Sequence, residues 1–326
     1  MVRVAAPGGD ELRALVLSSY DFEVSNDENS FEILIRRDEW EEIPDGGRLF
    51  IPGTEYGGLF KRLSTNTKQD SIAPGGLTWR GMLQRKIIQP EPGMDYATAT
   101  GELNTVIAGL CATLSPLFMA SPLDTGITVN NYQFDRYCTL YEGLREMLES
   151  VDHRLELVYS EEDNAVIIGA VPVHNYATDI EFSSNMRADY VVKTEQDMVN
   201  HLICLGSGQL SERMVRHLYT DERGRISQTQ TFFGVDEVAE VYDNSGASEY
   251  DLVVGGRKRL KELRNRNTFS IDIDTDMDIA IGDIVGGRDY LTGIAMQAPV
   301  VGKVVKMSSG VQTIEYTLGE AGEVKI

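Results

Sequence analysis

The chain has 326 residues, with 51 Asp and Glu against 30 Lys and Arg, a net charge of −21 and a pI near 4.6. That sign excludes a general nucleic-acid binder, because a phosphate-binding face must be basic to release counterions. Hydrophobic residues at 42% and charged residues at 25% exclude wholesale disorder, and the length predicts two or three domains.

Residues 1–95 read as short strands. Leu12, Ala14 and Val16 alternate, as do Phe31, Ile33 and Ile35, while Asp45-Gly46-Gly47, Pro52-Gly53, Gly57-Gly58 and Pro74-Gly75-Gly76 mark turns. The pattern predicts a small antiparallel barrel or sandwich. Residues 1–60 hold 13 acids and 5 bases, an imbalance that a solvated face accounts for. The stretch from Leu77 to Ile88 is read as either an interface rich in Trp79, Arg80 and Arg85 or a buried strand with Trp79 in the barrel core.

From Gly101 the period becomes helical. Leu103, Val106, Ile107, Leu110 and Leu114 share one face, and Pro116 ends the run. A second helix ends near Ser150 and begins either at Thr139, with Glu142 completing a capping box, or at Asp135. A hairpin follows, from Leu155 to Tyr159 and from Ala165 to Val173. The apolar stretch from Leu103 to Leu123 is broken by Pro116 and Pro122, so it predicts no membrane span, and the N-terminus lacks the apolar core of a signal peptide.

Strands return at Ala188 to Lys193 and His201 to Leu205, followed by a long hairpin from Met214 to Phe233. A third helix is predicted from about Ser248 to Asn265, with Leu252, Val253, Leu260 and Leu263 buried and Gly255-Gly256 allowing close packing. Residues 257–266 carry a net charge of +5. Arg257, Lys258, Arg259, Lys261 and Arg264 are therefore candidates for an interface with an acidic partner, the alternative being that they answer the chain's own acids. Residues 268–326 are predicted β throughout. Val301, Lys303, Val305 and Met307 lead through a three-residue turn, Ser308-Ser309-Gly310, to Ile314, Tyr316 and Leu318.

Catalytic patterns are weak. Cys111, Cys138 and Cys204 match no zinc or redox spacing, and His153, His174, His201 and His217 stand in no catalytic motif. His201 and Cys204, three apart on a strand, point to opposite faces. Asp272, Asp274, Asp276 and Asp283 approximate a calcium-loop spacing, but Met277 stands where the loop needs glycine, and alternating aspartates are the wet face of a strand. The acid excess and this run motivate one competing class, a carboxylate-dependent glycan hydrolase or calcium-dependent glycan-binding protein.

Four stretches taken in order resemble a known family: Trp79 to Ile88, Tyr132 to Tyr137, Asn200 to Gly206 and Ile281 to Asp289. They are similar to the Gp37-like tail proteins of siphoviruses and prophages, the tail-tip hubs also called tail-associated proteins. The resemblance implies an α+β, mainly β fold with two small β-barrel tube domains, similar to contractile-tail hubs. The first barrel would be 1–92, the α+β insertion 93–185, the second barrel 186–234 with 268–326, and 235–267 a helical segment packing with the insertion. It implies a structural homotrimer at the virion tail tip with no cofactor and no catalytic residues. Its partners would be the distal tail protein ring, the tape-measure protein and distal tail-tip proteins, with DNA passing the lumen unbound. The chain stops soon after the last barrel strand, so no lytic domain is expected. An acidic channel lining would repel DNA, and the acids of 1–60 and 268–326 are its candidates.

Overall fold

The alternation of the first eighty residues becomes eight strands: β1 (Arg3–Ala5), β2 (Glu11–Ala14), β3 (Ser19–Ser25), β4 (Asn29–Arg36), β5 (Arg48–Phe50), β6 (Gly57–Leu59), β7 (Arg62–Asn66) and β8 (Ser71–Leu77). This computed structural model describes residues 1–8, 11–17, 19–176, 188–193, 199–221, 226–264, 268–273, 279–288, 295–319 and 322–323. Strands β2, β1, β5 and β6 form one sheet, and β3, β4, β8 and β7 are successive neighbours in a larger one. In β4, Asn29, Phe31, Ile33 and Ile35 are buried while Glu32 and Arg36 face water, as period 2 requires. Phe31 lies opposite Phe22 of β3, and the two rings stack at 5.4 Å.

The segment after β8 is helical, not the buried strand expected. Helix α1 (Trp79–Gln84) starts because the Thr78 side chain accepts a hydrogen bond from the Gly81 N–H, a local cap that overrides the β-propensity of Trp79. Trp79 itself is buried, as expected.

Next come β9 (Thr98–Glu102), α2 (Leu103–Cys111), β10 (Phe118–Ala120), β11 (Thr128–Gln133), α3 (Leu140–Glu149), β12 (His153–Ser160) and β13 (Ala165–Pro172). Thr139 caps α3 by accepting from the Glu142 N–H at 3.1 Å, which decides between the two starts. One core joins this region to the first strands. Phe50 and Trp79 lie in it with Leu103, Ile107, Leu144, Leu155 and Tyr159, and the Tyr159 ring sits 4.1 Å from Phe50 and 5.5 Å from Trp79. Residues 93–185 are thus no separate insertion. They belong to a first unit made of residues 1–188, 272–287 and 299–319.

The second unit comprises residues 189–271, 288–298 and 320–326. Its elements are β14 (Ala188–Lys193), β15 (His201–Leu205), β16 (Val215–Thr220), β17 (Ile226–Ser227), β18 (Ala239–Asp243), α4 (Glu249–Arg264) and β19 (Thr268–Ile273). Strands β17, β16, β15 and β18 form a sheet, with β18 parallel to β15. Helix α4 lays Leu252, Leu260 and Leu263 against Leu202, Cys204 and Leu218. The close approach rests on glycine: a Cβ at Gly256 would stand 2.5 Å from the Cys204 sulfur, and one at Gly255 2.6 Å from the Tyr242 hydroxyl. The helix therefore packs within this unit on its own sheet. The expected long hairpin is short, since β17 has two residues, and its turn at 222–225 lies outside the described residues.

The last strands are β20 (Ile284–Arg288), β21 (Ala295–Ser308), β22 (Val311–Leu318) and β23 (Gly322–Glu323). The β21–β22 hairpin forms as expected, but around two residues, with Ser308 opposite Val311 and both Ser309 (φ +53°) and Gly310 (φ +79°) left-handed. Two positive φ values match strand twist as a type I′ turn does. The hairpin does not complete a second barrel with 186–234. Val305 pairs with Phe22 and Met307 with Tyr20, so residues 299–319 extend the first unit's large sheet beside β3. The fold is α+β and mainly β, and no sheet closes into a barrel among the described strands. No helix among the described residues is long and apolar enough to cross a membrane.

Candidate partner-binding site

Of the aspartates with calcium-loop spacing, Asp274 and Asp276 lie outside the described residues, and the side chain of Asp272 is not described. Asp283 is fully engaged in structure. Its Oδ1 accepts from Arg154 Nε (2.8 Å) and the His174 N–H (3.0 Å), and its Oδ2 accepts from the Ala280 N–H (3.0 Å). This buried carboxylate ties the chain at 280–283 to β12 and to the end of β13. Among the described residues no three His, Cys, Asp or Glu side chains are grouped to hold a metal.

A second buried charge cluster carries no sequence motif. Glu55 Oε2 accepts from Arg80 Nε at 2.7 Å, and Glu55 Oε1 lies 3.2 Å from Lys303 Nζ. Arg80 also donates to the Tyr141 hydroxyl (3.3 Å) and the Leu155 carbonyl (3.4 Å), while the Lys303 ammonium sits 5.5 Å from the Tyr56 ring centroid. Burial alone would raise the Glu55 carboxyl, but the Arg80 and Lys303 charges outweigh it and hold it at about 2. Arg80 is correspondingly raised, the Glu55 charge overcoming the cost of burial. These groups bind together β6's approach, α1, α3, β12 and β21. They are a structural lock.

The histidines form a chain that spacing did not show. Within the second unit, His201 Nδ1 lies 2.5 Å from Glu237 Oε1 and His201 Nε2 lies 2.8 Å from His217 Nδ1, so the two rings are joined by a hydrogen bond. The His201 ring stacks on Tyr219 at 4.4 Å. His201 and Cys204 do not meet, as expected from their spacing; Cys204 is buried under α4. No cysteine is a ready nucleophile: burial pushes the Cys111 thiol up to about 12, burial and nearby acids push Cys138 up to about 11, and Cys204 is also raised by burial.

On α4 the structure divides the basic candidates. Arg259 is answered within the chain, by Glu240 (3.1 Å) and Glu262 (3.4 Å). The side chains of Lys261 and Arg264 are not described. Arg257 and Lys258 are exposed and have no ion-pair or hydrogen-bond partner among the described residues. With Tyr250 (67% exposed) and Val254 (49% exposed) they follow i, i+4, i+7, i+8 spacing and form a stripe opposite the buried Leu252, Leu260 and Leu263. An aromatic, an aliphatic and two free cations are the residue types of an interface with an acidic partner.

The acids, in turn, gather on one sheet face. Asp21 and Glu23 project from β3 on the side opposite the buried Phe22 and Val24, Glu32 lies across from Asp21, and Glu315 lies across from Val304, itself opposite Glu23. Lys306 and Arg62 partly offset them, pairing with Glu315 (3.2 Å) and Glu32 (3.6 Å).

No protein-family model matches the chain, and no curated protein matches it in sequence. Solved structures do match. The 43 kDa tail protein of prophage MuSo2 from Shewanella oneidensis is similar with a TM-score of 0.55 at 12% identity, over 98% of this chain and 98% of that one. The tail protein from Neisseria meningitidis is similar with a TM-score of 0.51 at 16% identity, over 98% and 96%. The chain has the fold of these tail proteins. Identities this low establish the fold and not an activity. The likeness runs from end to end of all three chains, so both units are part of the shared architecture.

Proposed function

We propose that the chain is a structural protein of a phage or prophage tail: a tail-tip hub of the Gp37-like kind that closes the tail tube as a homotrimeric ring and carries distal host-binding components. The observation that carries this reading is the end-to-end likeness to two tail proteins. The engaged state of the described chemical groups supports a non-enzymatic role: Asp283 and Glu55 hold the fold, and the thiols are buried. The strand edges left open among the described residues, such as that of β7, whose residues are all exposed, favour completion by neighbouring copies. In the ring the Asp21, Glu23, Glu32 and Glu315 face lines the channel, so that DNA passes without binding.

Light scattering on the purified chain, alone and with a neighbouring tail ring, tests the assembly. The expected particle is a trimer of 36.2 kDa chains; a stable dimer contradicts the reading. Electron microscopy of the assembled ring tests the channel, whose wall is expected to be net negative. On the same reading the α4 stripe docks a distal protein. Arg257→Glu with Lys258→Glu is expected to leave the thermal midpoint within about 1 °C, since exposed charges without partners contribute little, and to abolish incorporation of the distal proteins into tails. Arg259→Glu, which loses two ion pairs and sets a third acid beside Glu240 and Glu262, lowers the thermal midpoint instead.

A further inference from the structure

A cleft of about 710 Å³ opens in the first unit between residues 85–98, the end of α2, and the residues around Phe134 and Leu140. It belongs to neither the α4 stripe nor the acidic sheet face. Its floor is apolar and fixed: Ile88, Phe134 and Leu140 are buried members of the main core. Its walls leave large apolar side chains in water, with Ile87 46% and Met94 60% exposed. One such residue on a surface is ordinary, but two beside an apolar floor make a patch that water covers poorly.

Charge and backbone add to this. Arg85 and Lys86 line the cleft, are exposed, and have no side-chain partner among the described residues. In a protein of net charge −21, adjacent cations without an acid are set apart from the rest of the surface; Glu91 is the single acid among the lining residues. Strand β9, whose first residue Thr98 also lines the cleft, pairs with β11 alone among the described strands, so its other edge offers unpaired backbone donors and acceptors.

We infer that the cleft receives a short extended segment of a partner protein, with apolar side chains alternating on one face and carboxylates at its end. The apolar side chains enter over Ile88, Phe134 and Leu140, the carboxylates meet Arg85 and Lys86, and the segment's backbone adds to the edge of β9. A basic segment is repelled by Arg85 and Lys86, which gives the cleft its selectivity. This holds whether or not the chain sits at a tail tip, because it rests on the cleft's own residues.

The test is selection of a random heptapeptide display library on the immobilised full chain, followed by fluorescence anisotropy with synthetic copies of the enriched peptides. Enriched peptides are expected to carry at least one acid and two apolar residues separated by one position. Their affinity is expected to fall about tenfold or more on Arg85→Glu with Lys86→Glu, and similarly on Met94→Arg, while Arg257→Glu with Lys258→Glu leaves it unchanged. All the substituted residues are exposed, and unchanged thermal midpoints verify the fold of each variant. The proposal is overturned if no peptide is enriched over an unrelated protein, if the enriched peptides are basic, or if the Arg85 and Lys86 substitutions leave affinity intact. A change in the chain's own oligomeric state on those substitutions also overturns it, because the occupant is then a second copy.

Discussion

Replacing Glu55 by alanine is expected to cost about 3–5 kcal/mol of stability, read from urea unfolding, because the Arg80 and Lys303 cations then stay buried with no counter-charge. Lys303→Met is expected to cost clearly less, since it leaves the Arg80–Glu55 pair neutral as a unit. Equal losses for the two variants would show that the cluster contributes through packing and not charge. The pH dependence has a definite sign. Glu55 has an ordinary value of 4.5 and is held at about 2 in the folded chain, so its contribution is present above pH 4.5 and disappears as pH falls towards 2. That difference corresponds to about 3 kcal/mol. Glu55→Gln is expected to flatten the acid limb of the stability curve over this window, relative to the parent chain.

A loss of about 3 kcal/mol or more is expected for Gly58→Ala. A Cβ there would stand 2.0 Å from the Leu77 carbonyl oxygen and 2.6 Å from Phe31. A neighbouring carbonyl cannot swing aside as a side-chain tip can, so β6 and β8 would have to part where Gly58 bridges Thr78. Gly76 meets the Leu59 carbonyl at 2.1 Å in the same crossing and is expected to behave alike. The contrast is Gly109 in α2, where an added Cβ meets nothing within 4 Å and alanine is expected to stabilise the helix by about 0.5–1 kcal/mol. Thermal unfolding of the three variants separates crowding from any general intolerance of substitution.

What was legible in the sequence was local. Phe31, Ile33 and Ile35 announce β4 because every second residue meets the same core. The faces of α2 and α3 and the β12–β13 and β21–β22 hairpins are also fixed by neighbours a few residues away. The sequence misled where distant residues decide. Nothing near Val305 says that its strand pairs with β3 and not with residues 186–234, and nothing near Glu55 says that Arg80 and Lys303 will meet its carboxylate. Helix α1 was hidden because six residues are too few for a period to show, although Thr78 carries the cap. Among the interface candidates, the excess of base on α4 was visible, but only the positions of Glu240 and Glu262 separate Arg259 from Arg257 and Lys258. The cleft beside Arg85 and Lys86 draws on three stretches of chain that share no pattern.

The pairing of β3 with β21 sets the order in which the protein can be made. Phe22 emerges from the ribosome about 280 residues before its neighbour Val305, which at about 5–20 residues per second is a delay of roughly 15 to 60 s. Throughout that interval β3 has β4 on one side and an unfilled edge on the other, and Arg80 and Glu55 lack their third partner. The first unit can therefore reach its final packing only after the second unit's polypeptide has been synthesised. The nascent chain spends most of its translation with a sticky strand exposed, and it is during those seconds that a chaperone would matter most.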